Sequence, residues 1–208
     1  MQQTPNKKRY LPIKTIIVLA IFVSFVGIAT SSFKGKGGFD EKKTTKDSIA
    51  SVAAFMDVYK VLMHPRCMNC HPAGDIPLQN DDSHIHTMNP QRAKDGHGLY
   101  AMKCANCHQP GNAPGLRTPP GNPKWALPPA NMKMVFENKT PRELAKQIMD
   151  YNRNGHKNKA QLLEHARDTL VKWGWNPGEG RTTPPLDYPA FVKAWDTWIK
   201  TGGYAPAK

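Results

Sequence analysis

Cys67-Met68-Asn69-Cys70-His71 and, 37 positions further on, Cys104-Ala105-Asn106-Cys107-His108 decide how this sequence is read. Both have the form C-x-N-C-H, and together they use every cysteine in the chain, leaving none for a structural disulfide. The pattern is that of covalent haem attachment. Two thiols add to the two haem vinyl groups as thioethers, and the two residues between them set both sulfurs along one edge of the macrocycle. The histidine that follows lies under the iron and supplies its proximal nitrogen. Two rival readings use less of the pattern. Four thiolates could share one zinc, or one C-x-x-C could act as a redox dithiol. Both leave His71 and His108 without a task. The expectation is two covalently attached haem c groups, held by Cys67, Cys70 and His71 and by Cys104, Cys107 and His108.

Working outward, Ser48 to Met63 reads as an amphipathic helix with Ile49, Val52, Met56, Tyr59 and Met63 on one face, capped by Ser48 and stopped by Pro65. Residues 72–98 and 109–131 carry no sustained periodicity, and the second stretch holds seven prolines. Loops of that length inside a domain are usually functional, and wrapping a cofactor is one such function. Thr140-Pro141-Arg142-Glu143 is a capping box with proline at the first helical position, so a helix begins there and runs to about Tyr151. A second helix is expected over Lys159–Trp173, with Leu162, Leu163, Ala166, Leu170 and Trp173 on one face. A third opens at Asp187 and ends at Gly202. No strand is expected. The fold class is all-α, with cytochrome c-like helices and long Pro/Gly-rich loops around two haems.

The N-terminus carries Lys7-Lys8-Arg9 and then an apolar run from Ile16 to Ala29. That is near the upper length for a signal-peptide core and short for a membrane span. Residues 1–33 are read as a signal peptide or N-terminal membrane anchor, 34–47 as a flexible tether and 48–208 as the di-haem domain. The basic flank stays in the cytoplasm, which places the domain on the periplasmic side of the inner membrane. Of the net charge of +13, four units precede the apolar run, leaving +9. Haem propionates would offset about four of these. Nucleic-acid binding is set aside, because the Lys and Arg residues are scattered and no recognition signature is present. The remaining charge suits an acidic redox partner or a membrane surface.

An electron carrier fills both axial positions of its iron. Besides the two pentad histidines there are six others, at 64, 84, 86, 97, 156 and 165. His86, and less so His84, follow the first pentad and are candidates for the distal position of that haem. Met132 follows a stiff Pro128-Pro129 segment, and His165 lies on the second helix among leucines; both are further distal candidates. Surface or loop roles are the plain alternative for each. Trp125, Trp173 and Trp175 are candidates for packing against porphyrin or in the ordinary core.

Gly98-Leu99-Tyr100 ahead of the second pentad resembles the opening of a class I cytochrome c, and Thr140 to Ile148 resembles that family's mid-chain helix. Thirty-seven residues cannot hold a complete domain of that class, so the two haems are expected to share one fold. A closer resemblance runs over residues 67–181. Its carriers are Cys67 to Arg92, Asp95-Gly96-His97-Gly98, Pro123 to Met132, and Leu162 to Arg181 with its Trp173-Gly174-Trp175. These resemble the cytochrome proteins known as isoquinoline oxidoreductase subunits. The resemblance implies a c-type cytochrome that takes electrons from a molybdenum hydroxylase and passes them toward the respiratory chain. No molybdopterin or iron–sulfur motif is present, so the chain is expected to be an electron carrier with no substrate site of its own. The alternative is a haem enzyme, a peroxidase or small-molecule oxidase, with an open distal site. Di-haem peroxidases have much longer chains. A haem-based sensor lacks any attached output domain here.

Overall fold

The helix that feeds the first pentad starts earlier than its periodicity suggests. In a computed structural model, which describes residues 41–207, α1 spans Glu41–Leu62. Part of the stretch read as a tether, 41–47, is therefore helical, while the rest of it and the apolar run Ile16–Ala29 lie outside the described residues. Ser48 is not a cap: it sits inside the helix, and its hydroxyl donates to the Thr45 carbonyl at 2.8 Å. The buried stripe also differs from the expected one. Ser51, Phe55, Val58, Val61 and Leu62 face the core, whereas Ile49 is 66% exposed. Val52, Met56, Tyr59 and Met63 are half-buried. This helix is apolar over more than half its circumference, so the bulkiest neighbours, not the periodicity, choose which stripe is sealed.

Those neighbours belong to the last helix, α6, Tyr188–Lys200. Its Phe191, Trp195, Trp198 and Ile199 are buried, and the Trp198 ring packs on Phe55 with centroids 4.5 Å apart. Buried Ser51 locks the pair: its hydroxyl donates to the Trp198 carbonyl and accepts from the Tyr204 N–H. Pro65 ends one helix and opens the next, a four-residue α2 at Pro65–Met68 that carries Cys67. Between lies His64, whose Nδ1 accepts from the Arg66 N–H as a cap.

The long loop after the first pentad contains a small hairpin, contrary to the expectation of no strand. β1, Leu78–Gln79, pairs antiparallel with β2, His84–Ile85. Two residues per strand are too few to leave an alternation in sequence. A single 3₁₀ turn, Cys104–Asn106, opens the second pentad. α3, Pro141–Met149, begins with the expected capping box: Thr140 accepts from the Glu143 N–H, and Glu143 accepts from the Thr140 N–H. Its Leu144, Ala145 and Ile148 join the core.

The second expected helix is broken. α4 covers Lys159–His165 and α5 covers Thr169–Lys172, followed by a 3₁₀ turn at Trp173–Trp175. Asp168 causes the break, because its carboxylate accepts from the Leu170 N–H and caps a new start. Leu162 and Ala166 are buried as expected. Among the described residues no helix is long and apolar enough to cross a membrane.

Candidate functional site

Each pentad closes into one turn. In the first, the Cys70 N–H reaches the Cys67 carbonyl at 3.2 Å and the His71 N–H reaches that of Met68 at 2.9 Å. In the second, the N–H groups of Cys107 and His108 both reach the Cys104 carbonyl. Residues three apart on a turn share a face, so each cysteine pair points one way, and the histidine one position on is carried beside it. The shared asparagine anchors both turns. Asn69 Nδ2 donates to the Asn80 carbonyl, and Asn106 Nδ2 to that of Ala101.

The two histidines have matching surroundings. His71 Nδ1 lies 2.7 Å from the Met134 carbonyl, and its ring stacks on Phe136 at 3.8 Å and 7°. His108 Nδ1 lies 2.8 Å from the Pro120 carbonyl, and its ring stacks on Trp125 at 4.0 Å and 8°. A carbonyl only accepts, so Nδ1 carries the proton and Nε2 keeps a bare lone pair. Burial reinforces this by disfavouring the charged ring. It pushes His71 down to about 4 and lowers His108 as well. A neutral imidazole with Nδ1 tied to a carbonyl and Nε2 free is the arrangement a metal-ligating histidine takes.

The Cys67, Cys70 and Cys104 thiols are also unlike those of a dithiol enzyme. All four are free, and burial raises Cys67 to about 12 and Cys70 to about 11, with Cys104 raised too. Redox-active thiols have lowered values and lie in electropositive, accessible places. Among the described residues no three His, Cys, Asp or Glu side chains converge as a metal cluster, so the four cysteines are not gathered as a tetrahedral zinc site needs. The pentads are nonetheless neighbours, since Cys104 is near enough to raise Cys70 electrostatically.

The candidate distal ligands fall in a different arrangement from their order in the chain. His86, expected beside the first haem, stands instead against the second pentad, with its ring centroid 6.4 Å from that of His108. The hairpin reverses the chain after the first pentad and carries His86 across. His84 turns outward and pairs with Asp82 at 2.8 Å. His165 is half-buried and near enough to His71 to influence it electrostatically. Met132 is half-buried beside Gly155, two residues ahead of the carbonyl that fixes His71. His97 holds its own turn through the Asp95 carbonyl, and His156 lies against Tyr151. Trp173 and Trp175 take hydrogen bonds to Asn112 and to the Leu186 carbonyl, and Trp175 packs against the Phe191 ring of the core.

Two arginines lie near the first pentad, Arg92 buried and Arg66 half-buried. The Arg92 side chain is fully buried; it donates to the Pro128 and Gly74 carbonyls and lies 3.4 Å from Asp75, yet its Nε has no aligned partner. Arg66 pairs with Asp81 at 2.8 Å, and its Nε is likewise orphaned. Both act electrostatically on Cys70. Asp75 and Asp81 meet the two charges, and one Nε donor of each guanidinium is left to offer. No periodicity or motif marks either one.

This donor set fits haem c: paired thiols on one turn, a neutral histidine with Nε2 free, and spare guanidinium donors near the first pentad for propionate. No family model, curated protein or solved structure matches the chain.

Proposed function

We propose that this chain is a di-haem c-type cytochrome that carries electrons on the periplasmic face of the inner membrane. The observation that supports this best is the twin histidine setting. His71 and His108 come from different parts of the chain, yet each has Nδ1 held by a carbonyl, one face covered by an aromatic ring and Nε2 free.

In this reading Cys67 and Cys70 hold one haem and Cys104 and Cys107 the other. When bound, each haem iron cycles between the +3 and +2 states and supplies the one-electron chemistry. The residues do the rest. Met134 and Pro120 fix the tautomer and orientation of the ligating rings. Phe136 and Trp125 keep water from them, and Arg66 and Arg92 hold propionate charge near the first pentad. Cys104 acts electrostatically on Cys70, so the pentads are near one another, and attachment sites that near would suit exchange of an electron between their haems. His165 or Met132 would complete the hold on the first haem from the side away from His71. The donor proposed from the resemblance is a molybdenum hydroxylase, and the acceptor lies toward the respiratory chain. The basic surface suits an acidic face on either.

A redox titration followed by absorbance tests the role. Two reversible one-electron steps and no turnover of peroxide are expected. Peroxide-dependent oxidation of a dye at enzyme-like rates would contradict it.

A further inference from the structure

We infer that His86 ligates the iron held by His108, so that the loop following the first pentad supplies the distal ligand of the second haem. The inference rests on the haem reading above and adds an assignment which that reading leaves open.

The geometry comes from two rings that meet without touching. The centroids of His86 and His108 are 6.4 Å apart, with their planes at 66°. That is too long for a stack, and the two rings share no hydrogen bond. An imidazole nitrogen stands about 2 Å from a transition metal, so two imidazoles on opposite sides of one ion have centroids roughly 6 to 6.5 Å apart. The observed spacing falls in that window. His108 has Nδ1 committed to Pro120, and only Nε2 remains for a metal. The His86 ring takes one hydrogen bond, a long 3.3 Å approach of the Met88 N–H to Nδ1, and its Nε2 is free. Ligation through Nε2 puts the proton on Nδ1 and gives up that weak contact.

The backbone holds His86 in place independently of its ring. The His86 N–H donates to the Pro77 carbonyl at 2.9 Å, and its carbonyl accepts from the Asn89 N–H at 2.8 Å. β1 and β2 stand directly before it. The same hairpin turns His84 toward Asp82, so only one of the two histidines is presented. With His86 committed to the second iron, the first is left to His165 or Met132.

The test is His86→Ala in the full chain, read by electron paramagnetic resonance and by haem count. Two covalent haems per chain should remain in both proteins. One of the two low-spin ferric signals should be lost, replaced by a high-spin one, and one haem per chain should gain carbon monoxide binding when reduced. The stacked rings report which haem changed. Proton resonances of Trp125, which lies on His108, should move, while those of Phe136, which lies on His71, should stay. Two low-spin haems in the variant would overturn the assignment, as would a shift of Phe136 instead of Trp125. If the alanine variant does not fold, His86→Met serves. It should keep six-coordination and add a far-red thioether-to-iron band, and an unchanged spectrum would overturn the assignment equally. A wild-type chain without covalent haem would fail the underlying reading, which is a separate result.

Discussion

A carbonyl oxygen can orient a histidine only by accepting its proton, and this decides what His71 and His108 are able to do. Burial disfavours the charged form of each ring, and the neutral ring with Nδ1 protonated has one lone pair to offer. The residues around them are equally constrained. Gly96 has φ 84°, and a Cβ there would stand 2.0 Å from the Leu127 carbonyl oxygen. Gly96→Ala should therefore cost more than about 1 kcal/mol, since the backbone itself must shift. Urea unfolding midpoints would measure it, and an unchanged midpoint would mean the approach is looser than drawn. Arg92→Met strips partners from the Pro128 and Gly74 carbonyls and should cost about 2 kcal/mol. The four cysteines and two histidines of the pentads stand out in the sequence, because a repeated C-x-x-C-H spacing is a local pattern that needs no knowledge of the fold. Arg92 does not, since a buried arginine looks the same in sequence as an exposed one. Nor does the side His86 would take. In the chain it lies nearer the first pentad, and only the fold of the hairpin sends it to the second.

At the scale of elements, helix starts were easier to read than helix faces or interruptions. The Thr140 box, the Asp187 start and the Pro65 stop all rest on local hydrogen-bond chemistry that the residues carry with them. Thr140→Ala should cost about 1 kcal/mol in thermal or denaturant unfolding. The buried stripe of α1 depends on α6, which is more than a hundred residues away, so no local window contains the answer. Trp198 is the point where they meet, and Trp198→Ala should cost roughly 3–5 kcal/mol. A loss under about 1 kcal/mol would mean that α1 and α6 do not share a core as described. The break between α4 and α5 was hidden for a different reason. The apolar spacing continues across Asp168, while its side chain restarts the helix.

For the whole molecule, charge sets the pH behaviour, and the proposed cofactor would complete the interior. Outside the site, Arg167 grips Asp196 with two hydrogen bonds of 3.1 and 2.9 Å, and Lys200 adds a third at 2.9 Å. The Arg167 hydrogen bond, more than the other contacts, holds the Asp196 carboxyl below its ordinary range. The folded state thus binds this proton less readily than the unfolded chain. Its contribution is fully present above the ordinary carboxylate value and fades as pH falls through the lowered one. Asp196→Asn should cost about 0.5–1 kcal/mol at neutral pH, since Arg167 is partly exposed, and should flatten the acid side of the stability profile. A 208-residue chain with 19 prolines and long loops has few side chains for its interior, and the two large apolar cofactors proposed above would complete it. Covalent haem is therefore the claim on which the rest depends. The direct measurement is a haem-stained denaturing gel, with a pyridine haemochrome count, on the chain matured in a host that attaches haem c. Two haems per polypeptide are expected, falling to one when Cys104 and Cys107 are both replaced by alanine. A colourless band from such a host would contradict the account.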